Sequence, residues 1–444
     1  MPRPPGPAPS SAPPSAPSPC ADPLALLHRL YAAMREAADP ARILPPHLPE
    51  PPERGRTVVV GVGKSAAAMA QAVEAHWPAD ARLSGVVVVP EGSALPLARL
   101  RLLQASHPVP DARSEAAGRA LLAAVQGLGP DDLVLALVSG GGSALCALPA
   151  EGLALADKQR LTRELLARGA TIGEINTVRR HLSAIKGGRL ALAAHPARVH
   201  SLILSDVPGD DPAVVASGPT LPDSSTCADA AAVLARYAIE PGPTVAAAWA
   251  DARWESPKPG DARLAGHTHR LVASAWNGLQ AAAQAAQAAG WRAHILAEAM
   301  EGEARDQALA HAAIARAVAE RGVPFAPPCV LLSGGEPTVT LQGPAGRGGR
   351  NTEFALALAL ALGGHPRIHA LAAGTDGLDG AARAAGAWVA PDTLARAHAL
   401  GLSLPAALAA HDSATALDAL GQLVHTGPTH TNINDFRALV ILDT

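Results

Sequence analysis

Lys64 stands at the mouth of a glycine turn in the stretch TVVVGVGKSAAAMAQAVEAHW, residues 57–77. Three valines, the turn and an alanine-rich run read as strand, turn and helix start. A helix N-terminus presents free N–H groups and partial positive charge, so a lysine there is unfavourable unless an anion shares the space. Lys64 is therefore a candidate to meet a phosphoryl group or a carboxylate, against the alternative of a solvated side chain. A Walker A loop would need glycine where Val58 stands. Gly61, Gly63 and Ala66 fit the dinucleotide pattern G-x-G-x-x-A, a spacing that close strand–helix packing also produces. A second turn, LVSGGGSALCALPA, places Ser139, Gly140, Gly141, Gly142 and Ser143 between a strand and a helix. Three adjacent glycines let backbone N–H groups approach an anion closely, which assigns these five residues to nucleotide phosphates.

Other polar clusters follow apolar runs in the same way. NTVRRHLSAIKGGRLA brings Asn176, Arg179, Ser183 and Lys186 within one or two helical turns, with Gly187 and Gly188 as the stop. A solvated basic face is the plain alternative there. LSDVPGDDP sets Asp206, Asp210 and Asp211 after a strand, where carboxylates suit Mg²⁺ or a catalytic base, or serve only as turn acids. In the second half, GRGGRNTEF groups Arg347, Arg350, Asn351 and Glu353, and an arginine at such a turn can clamp a carboxylate or phosphate. SGGEPTV, GTDGLDG and TGPTHTNINDF add Glu336, Asp376, Asp379, Thr429, Thr431, Asn432 and Asp435. Together these turns predict a polyanionic ligand between two domains. His107 reads as a turn histidine bonded to backbone. His425 and His430 lack metal-ligand spacing.

The elements that must carry these residues are legible from pattern. Continuous β-branched runs spaced by Ala/Leu-rich helical stretches imply a parallel sheet covered on both faces, with ligands outside the strands' carboxyl ends. At 444 residues the chain exceeds a single core. The reading is a Pro/Ser tail over 1–22, an α/β domain over 23–240, a variable Pro/Gly/charged segment over 241–266 and a second α/β domain over 267–444. A net charge of −3 without a basic block argues against nucleic acid or anionic membrane as partner. Cys20, Cys146, Cys227 and Cys329 form no CxxC pair, which fits reduced thiols in a cytoplasm. No apolar run approaches a membrane span.

From about residue 23 to 441, the ordered blocks GVGKSAAAMA, HPVPDARS, LVSGGGSALCALP, INTVRRHLSAIKGGRLA, SLILSDVPGDDPAVVASGPT, SGGEPTV, GRGGRNTEFALA, GTDGLDGAARAAGAW and TGPTHTNIND resemble the two-domain glycerate 2-kinases. This class also carries an old label as hydroxypyruvate reductase. The resemblance implies a Rossmann-like N-terminal α/β domain, a smaller C-terminal α/β domain and an active site in the cleft. It implies ATP-dependent phosphorylation of D-glycerate to 2-phosphoglycerate with Mg²⁺. The family's two singled-out basic residues fall on Lys64 and Arg350. Asp206 joins them as the third catalytic candidate, and with Asp210 as metal ligand. Lys186, Gly187, Glu336 and Asp376 are assigned to the nucleotide with the 139–143 turn. Asn176, Arg179, Asn351, Asn432 and Asp435 are assigned to the substrate. Thr352, His411 and His430 depart from residues common in the family, which touches fine substrate contacts rather than the charged groups. Homodimer formation stays open.

The rival reaction is an NAD(P)H-dependent hydroxypyruvate reductase, supported by Gly61, Gly63 and Ala66. No clear strand-terminal acid stands at the ribose position, and no histidine–acid pair is visible to donate a proton. A sugar-phosphate or nucleotide sensor without turnover is the third reading.

Overall fold

The computed structural model describes residues 22–443 except 342 and 344, so the Pro/Ser tail lies, apart from Asp22, outside the described residues. Six strands form a wholly parallel first sheet: β1 (Thr57–Val62), β2 (Leu83–Pro90), β3 (Arg101–Ala105), β4 (Leu133–Val138), β5 (Arg198–Leu204) and β6 (Thr268–Ala273). Their order is β3-β2-β1-β4-β5-β6. All six residues of β1 and of β4 are buried, as a central strand covered by helices on both faces requires. This is the doubly wound order, and the chain reverses its winding direction between β1 and β4, where such sheets open a ligand crevice.

A second sheet is mixed. It contains β7 (Arg292–Ala297), β8 (Cys329–Gly335), β9 (Ile368–Gly374), β10 (Gly386–Val389), β11 (Leu423–Val424) and β12 (Asp435–Ile441), in the order β11-β10-β9-β12-β8-β7. Only β7 and β8 pair in parallel; the fully buried β12 runs antiparallel to both β8 and β9. The two α/β units match the expected fold class.

Three features differ from the sequence reading of the domains. β6 follows the 241–266 segment yet belongs to the first sheet, so the sheets do not change over at that segment. Its exposed, polar start (Thr268, His269, Arg270) gave it no buried-strand signature. The 241–266 segment itself is folded: the helix Pro243–Ala250 buries Val245, Ala248 and Trp249, which recur at helical spacing, and Trp254 joins them. These side chains pack with Leu161, Leu165, Ile175 and Val178 in a helical lobe inserted between strands of the first sheet. Finally, the helix Pro23–Glu36 packs chiefly on the helix Ala275–Ala288 and on β9 and β12 of the second sheet. It is N-capped by Asp22, whose carboxylate accepts from the Leu24 N–H.

Candidate active site at the sheet's switch point

The turns that follow β1 and β4 interlock. The Lys64 N–H donates to the Gly140 carbonyl at 2.8 Å, and the Ser65 N–H donates to Ser139 Oγ at 3.1 Å. Gly63 has φ +131°, and a Cβ there would stand 2.2 Å from Ser139 Oγ, so only glycine lets the turns close. The Ala66 N–H is bonded within the turn to the Gly63 carbonyl. The N–H groups at 64–66 are thus consumed by the protein itself. Ser139 is wholly buried and serves this junction, not the open cleft. Gly142 is likewise buried, with a Cβ position 2.6 Å from the Ala216 methyl. Gly141 and Ser143 do face open space, and Ser143 Oγ bonds Ser217 Oγ, which donates to Asn176 Oδ1.

The Lys64 side chain crosses to the second unit, where its ammonium meets Asp376 at 3.0 Å. Burial works against the charged lysine, but Asp376, helped by Asp206, holds its pKa above the ordinary value. Arg350, first residue of the helix Arg350–Leu362, is clamped by Asp435 through Nε at 2.6 Å and a terminal nitrogen at 3.1 Å. Its other terminal nitrogen lies 3.0 Å from Glu336. Burial opposes the guanidinium charge, yet Asp435, Glu336 and Asp376 raise its pKa further. Asp435 is fully buried on β12, so it orients Arg350 instead of facing a ligand. Asn351 is also fully buried. Its N–H donates to Asp379 at 2.8 Å, and Asp379 accepts from the Thr352 N–H and hydroxyl at the same distance. This carboxylate anchors the helix start that carries Arg350, and burial pushes its pKa up to about 6.

Asp206, after β5, lies directly against Gly140, where a Cβ would come within 1.6 Å of its Oδ2. Asn432 donates to the same oxygen at 3.0 Å. Burial, followed by the Glu336 charge, raises the Asp206 pKa to about 6. Asp210 bonds by its N–H to the Val207 carbonyl and lines none of the three cavities of the cleft. Lys186 and Gly187 are also elsewhere. The Lys186 amine is buried at 3.3 Å from the Ala216 carbonyl, and Gly187, with φ +58°, turns the chain beside Asp223. Among the described residues, the three-ligand group that comes within 4.8 Å is His181, Cys227 and Glu255, none of them predicted as metal ligands.

Three cavities adjoin one another here: two meet at Gly141 and Ser143 of the β4 turn, and one joins them through Arg350 and His107. One of about 650 Å³ lies between the units, with Gly141, Asn176, Arg179, Asp206, Glu336 and Arg350 in its wall. One of about 270 Å³ holds Lys64, His107, Arg350, Asp376, Asp379 and Thr431. The third, about 300 Å³, is enclosed by the first unit alone and includes His107, Gly141, Lys158 and Arg179. Burial, then the Lys64 charge, lowers the His107 pKa to about 4, so its ring is neutral in the wall shared by two cavities. Sequence reasoning read His107 as a turn histidine and passed over Lys158. For Lys158 the signal was its position on the apolar stripe with Leu161 and Leu165.

A doubly wound parallel sheet, joined to a mixed α/β unit by a cleft in which a cation from each unit meets, defines a class of two-domain α/β proteins built to hold an anionic ligand. The chain belongs to the glycerate kinase family. Residues 26–249 match a domain of unknown function (DUF4147) and residues 329–435 match the MOFRL family. A D-glycerate 2-kinase of Thermotoga maritima is 41% identical, over 90% of this chain and 94% of its own. An Agrobacterium vitis protein named "Putative hydroxypyruvate reductase" is 54% identical over 94% of each chain. The crystal structure of a glycerate kinase from Thermotoga maritima superimposes with a TM-score of 0.84, covering 94% of this chain and 99% of that one at 39% identity.

Proposed function

We propose that this protein phosphorylates D-glycerate at the 2-hydroxyl with ATP as donor, giving 2-phosphoglycerate and ADP. The observation that carries this reading is the convergence of Lys64 and Arg350, one from each unit, on a single 270 Å³ cavity of a size for a three-carbon acid. Arg350 also walls the 650 Å³ cavity, whose Ile172, Val207, Pro208, Val214 and Val339 give an apolar seat for a base. A phosphoryl group passing between the two would meet the guanidinium throughout. Phosphoryl transfer needs positioning and charge stabilisation more than covalent help. Lys64 gives one of its three N–H donors to Asp376, which fixes the ammonium and leaves donors for an incoming oxygen. Arg350 is held in plane by Asp435 before any ligand arrives.

Asp206 and Glu336 fit a divalent cation of the Mg²⁺ type. They supply hard oxygen ligands, and burial together with the neighbouring Glu336 charge raises the Asp206 pKa, so a cation between them would relieve that repulsion. Mg²⁺ held there would neutralise phosphate charge. Asp210 has no part in this pair.

The reductase name borne by one relative finds no support at the β1 turn. A dinucleotide pyrophosphate needs the free N–H groups of that turn, and here Gly140 and Ser139 of the neighbouring turn take those of residues 64 and 65. Incubation with ATP, Mg²⁺ and D-glycerate, followed by phosphorus NMR, should give 2-phosphoglycerate with stoichiometric ADP. Oxidation of NADH by hydroxypyruvate, with no ADP released, would reverse the assignment.

A further inference from the structure

The third cavity has no role in the reaction as drawn, and its walls are chemically lopsided. Lys158, Arg163 and Arg179 line it, with no aspartate or glutamate. Lys158 comes from the helix Leu155–Ala167 and is 4% exposed, and its amine has no hydrogen-bond partner. Among the described residues, Arg163 and Arg179 make no side-chain hydrogen bond or ion pair. The two cations that face each other across the cleft do meet acids: Lys64 has Asp376, and Arg350 has Asp435 and Glu336. A buried amine without a partner is costly to a folded protein. Burial, followed by the nearby Lys186 charge, presses the Lys158 pKa well below its ordinary value, and Arg179 and Arg189 act in the same direction. Polar supplements are at hand: Ser143, Gln159 and Thr162 also line the space.

We infer that this cavity is a phosphate-binding site, in which Lys158, Arg163 and Arg179 hold a phosphate group by charge-assisted hydrogen bonds. The inference goes beyond the kinase reading and stands without it, since it rests on an unpartnered buried amine beside two unpaired guanidinium groups and not on the reaction. The group could belong to the nucleotide's phosphate chain, because the cavity adjoins the 650 Å³ one at Gly141, Ser143 and Arg179, or it could be a free phosphate.

Calorimetric titration of the full chain and its Lys158→Met variant with ADP, adenosine and inorganic phosphate tests this. Loss of at least tenfold in ADP affinity, with adenosine unchanged, would support the site and assign it to the nucleotide. Loss of inorganic phosphate binding with ADP unchanged would support the site and assign it to a free phosphate. Identical binding of ADP and phosphate by variant and parent overturns the inference. Lys158→Met should also resist urea at least as well as the parent when no ligand is present, because the unpartnered amine is gone; this separates a binding loss from misfolding. Arg179→Gln provides a second variant with the same expected losses. These readouts need no turnover, so absence of kinase activity would remove the proposed reaction and leave this site standing.

Discussion

At the scale of single residues, charge placement governs the expectations. Lys64→Ala and Arg350→Ala should each lower kcat by ~10²-fold or more, the cost of removing one preorganised charge contact. Circular dichroism should remain native, since both side chains stand at the cleft wall; an Arg350→Ala enzyme with undiminished kcat would contradict its assignment. Arg350→Lys should not restore the rate, because one ammonium cannot reproduce the two-point contact with Asp435. Asp206 sets the pH dependence. With its pKa raised to about 6, it is protonated below that pH and loses the charge the site requires. The kcat/KM profile should therefore fall about tenfold per unit on the acid side of pH 6. Glu336→Gln removes the like charge that helps raise Asp206, so its acid limb should move to lower pH. A limb that stays in place would show that Asp206 is not the titrating group.

At the scale of elements, the two interlocked turns make glycine spacing part of the site. Gly140 has no room for a methyl beside Asp206, so Gly140→Ala must displace that carboxylate or the turn. Misplacement near 1 Å can cost about 10²-fold, and a loss of kcat/KM of that order is expected, with Lys64 still in place. A Gly140→Ala enzyme with parental kcat/KM would mean that the Asp206 position is not critical. Glycine clusters after apolar strands were legible in the sequence because they break two periodic patterns at once. So were Lys64 and Arg350, each the cation at such a break. What a turn's side chains touch was not legible: Ser139 looks identical whether its hydroxyl faces a phosphate or the Ser65 N–H. Asn351 and Asp435 looked like ligand contacts for the same reason, whereas the fold turns both inward to hold the helix start and Arg350. β6 escaped because a half-exposed edge strand carries no continuous apolar run. Lys158 escaped because a lysine in a charged helix reads as solvated until the helix is seen packed.

For the whole molecule, the arrangement of the two units decides whether the cations meet, and one core spans both. Val59, Val87 and Leu135 of the first sheet share a continuous buried cluster with Leu371, Phe436 and Val440 of the second. Leu26, Leu27, Leu30, Tyr31 and Met34 of the helix Pro23–Glu36 belong to it as well. Inter-domain contacts that are large and apolar restrain relative motion. This helix also reaches the site: the Tyr31 hydroxyl donates to the Gly374 carbonyl at 2.6 Å, two residues before the Asp376 that holds Lys64. Unfolding should consequently be cooperative across the chain. Leu27→Ala should cost about 2–5 kcal/mol, as large-to-small changes in packed cores do. In urea, tryptophan fluorescence reporting on Trp77 in the first unit and Trp388 in the second should show one transition, shifted to lower denaturant. If single-tryptophan versions gave two separate midpoints, with only one moved by Leu27→Ala, the units would be independent. The meeting of Lys64 and Arg350 would then depend on a movable hinge instead of on shared packing.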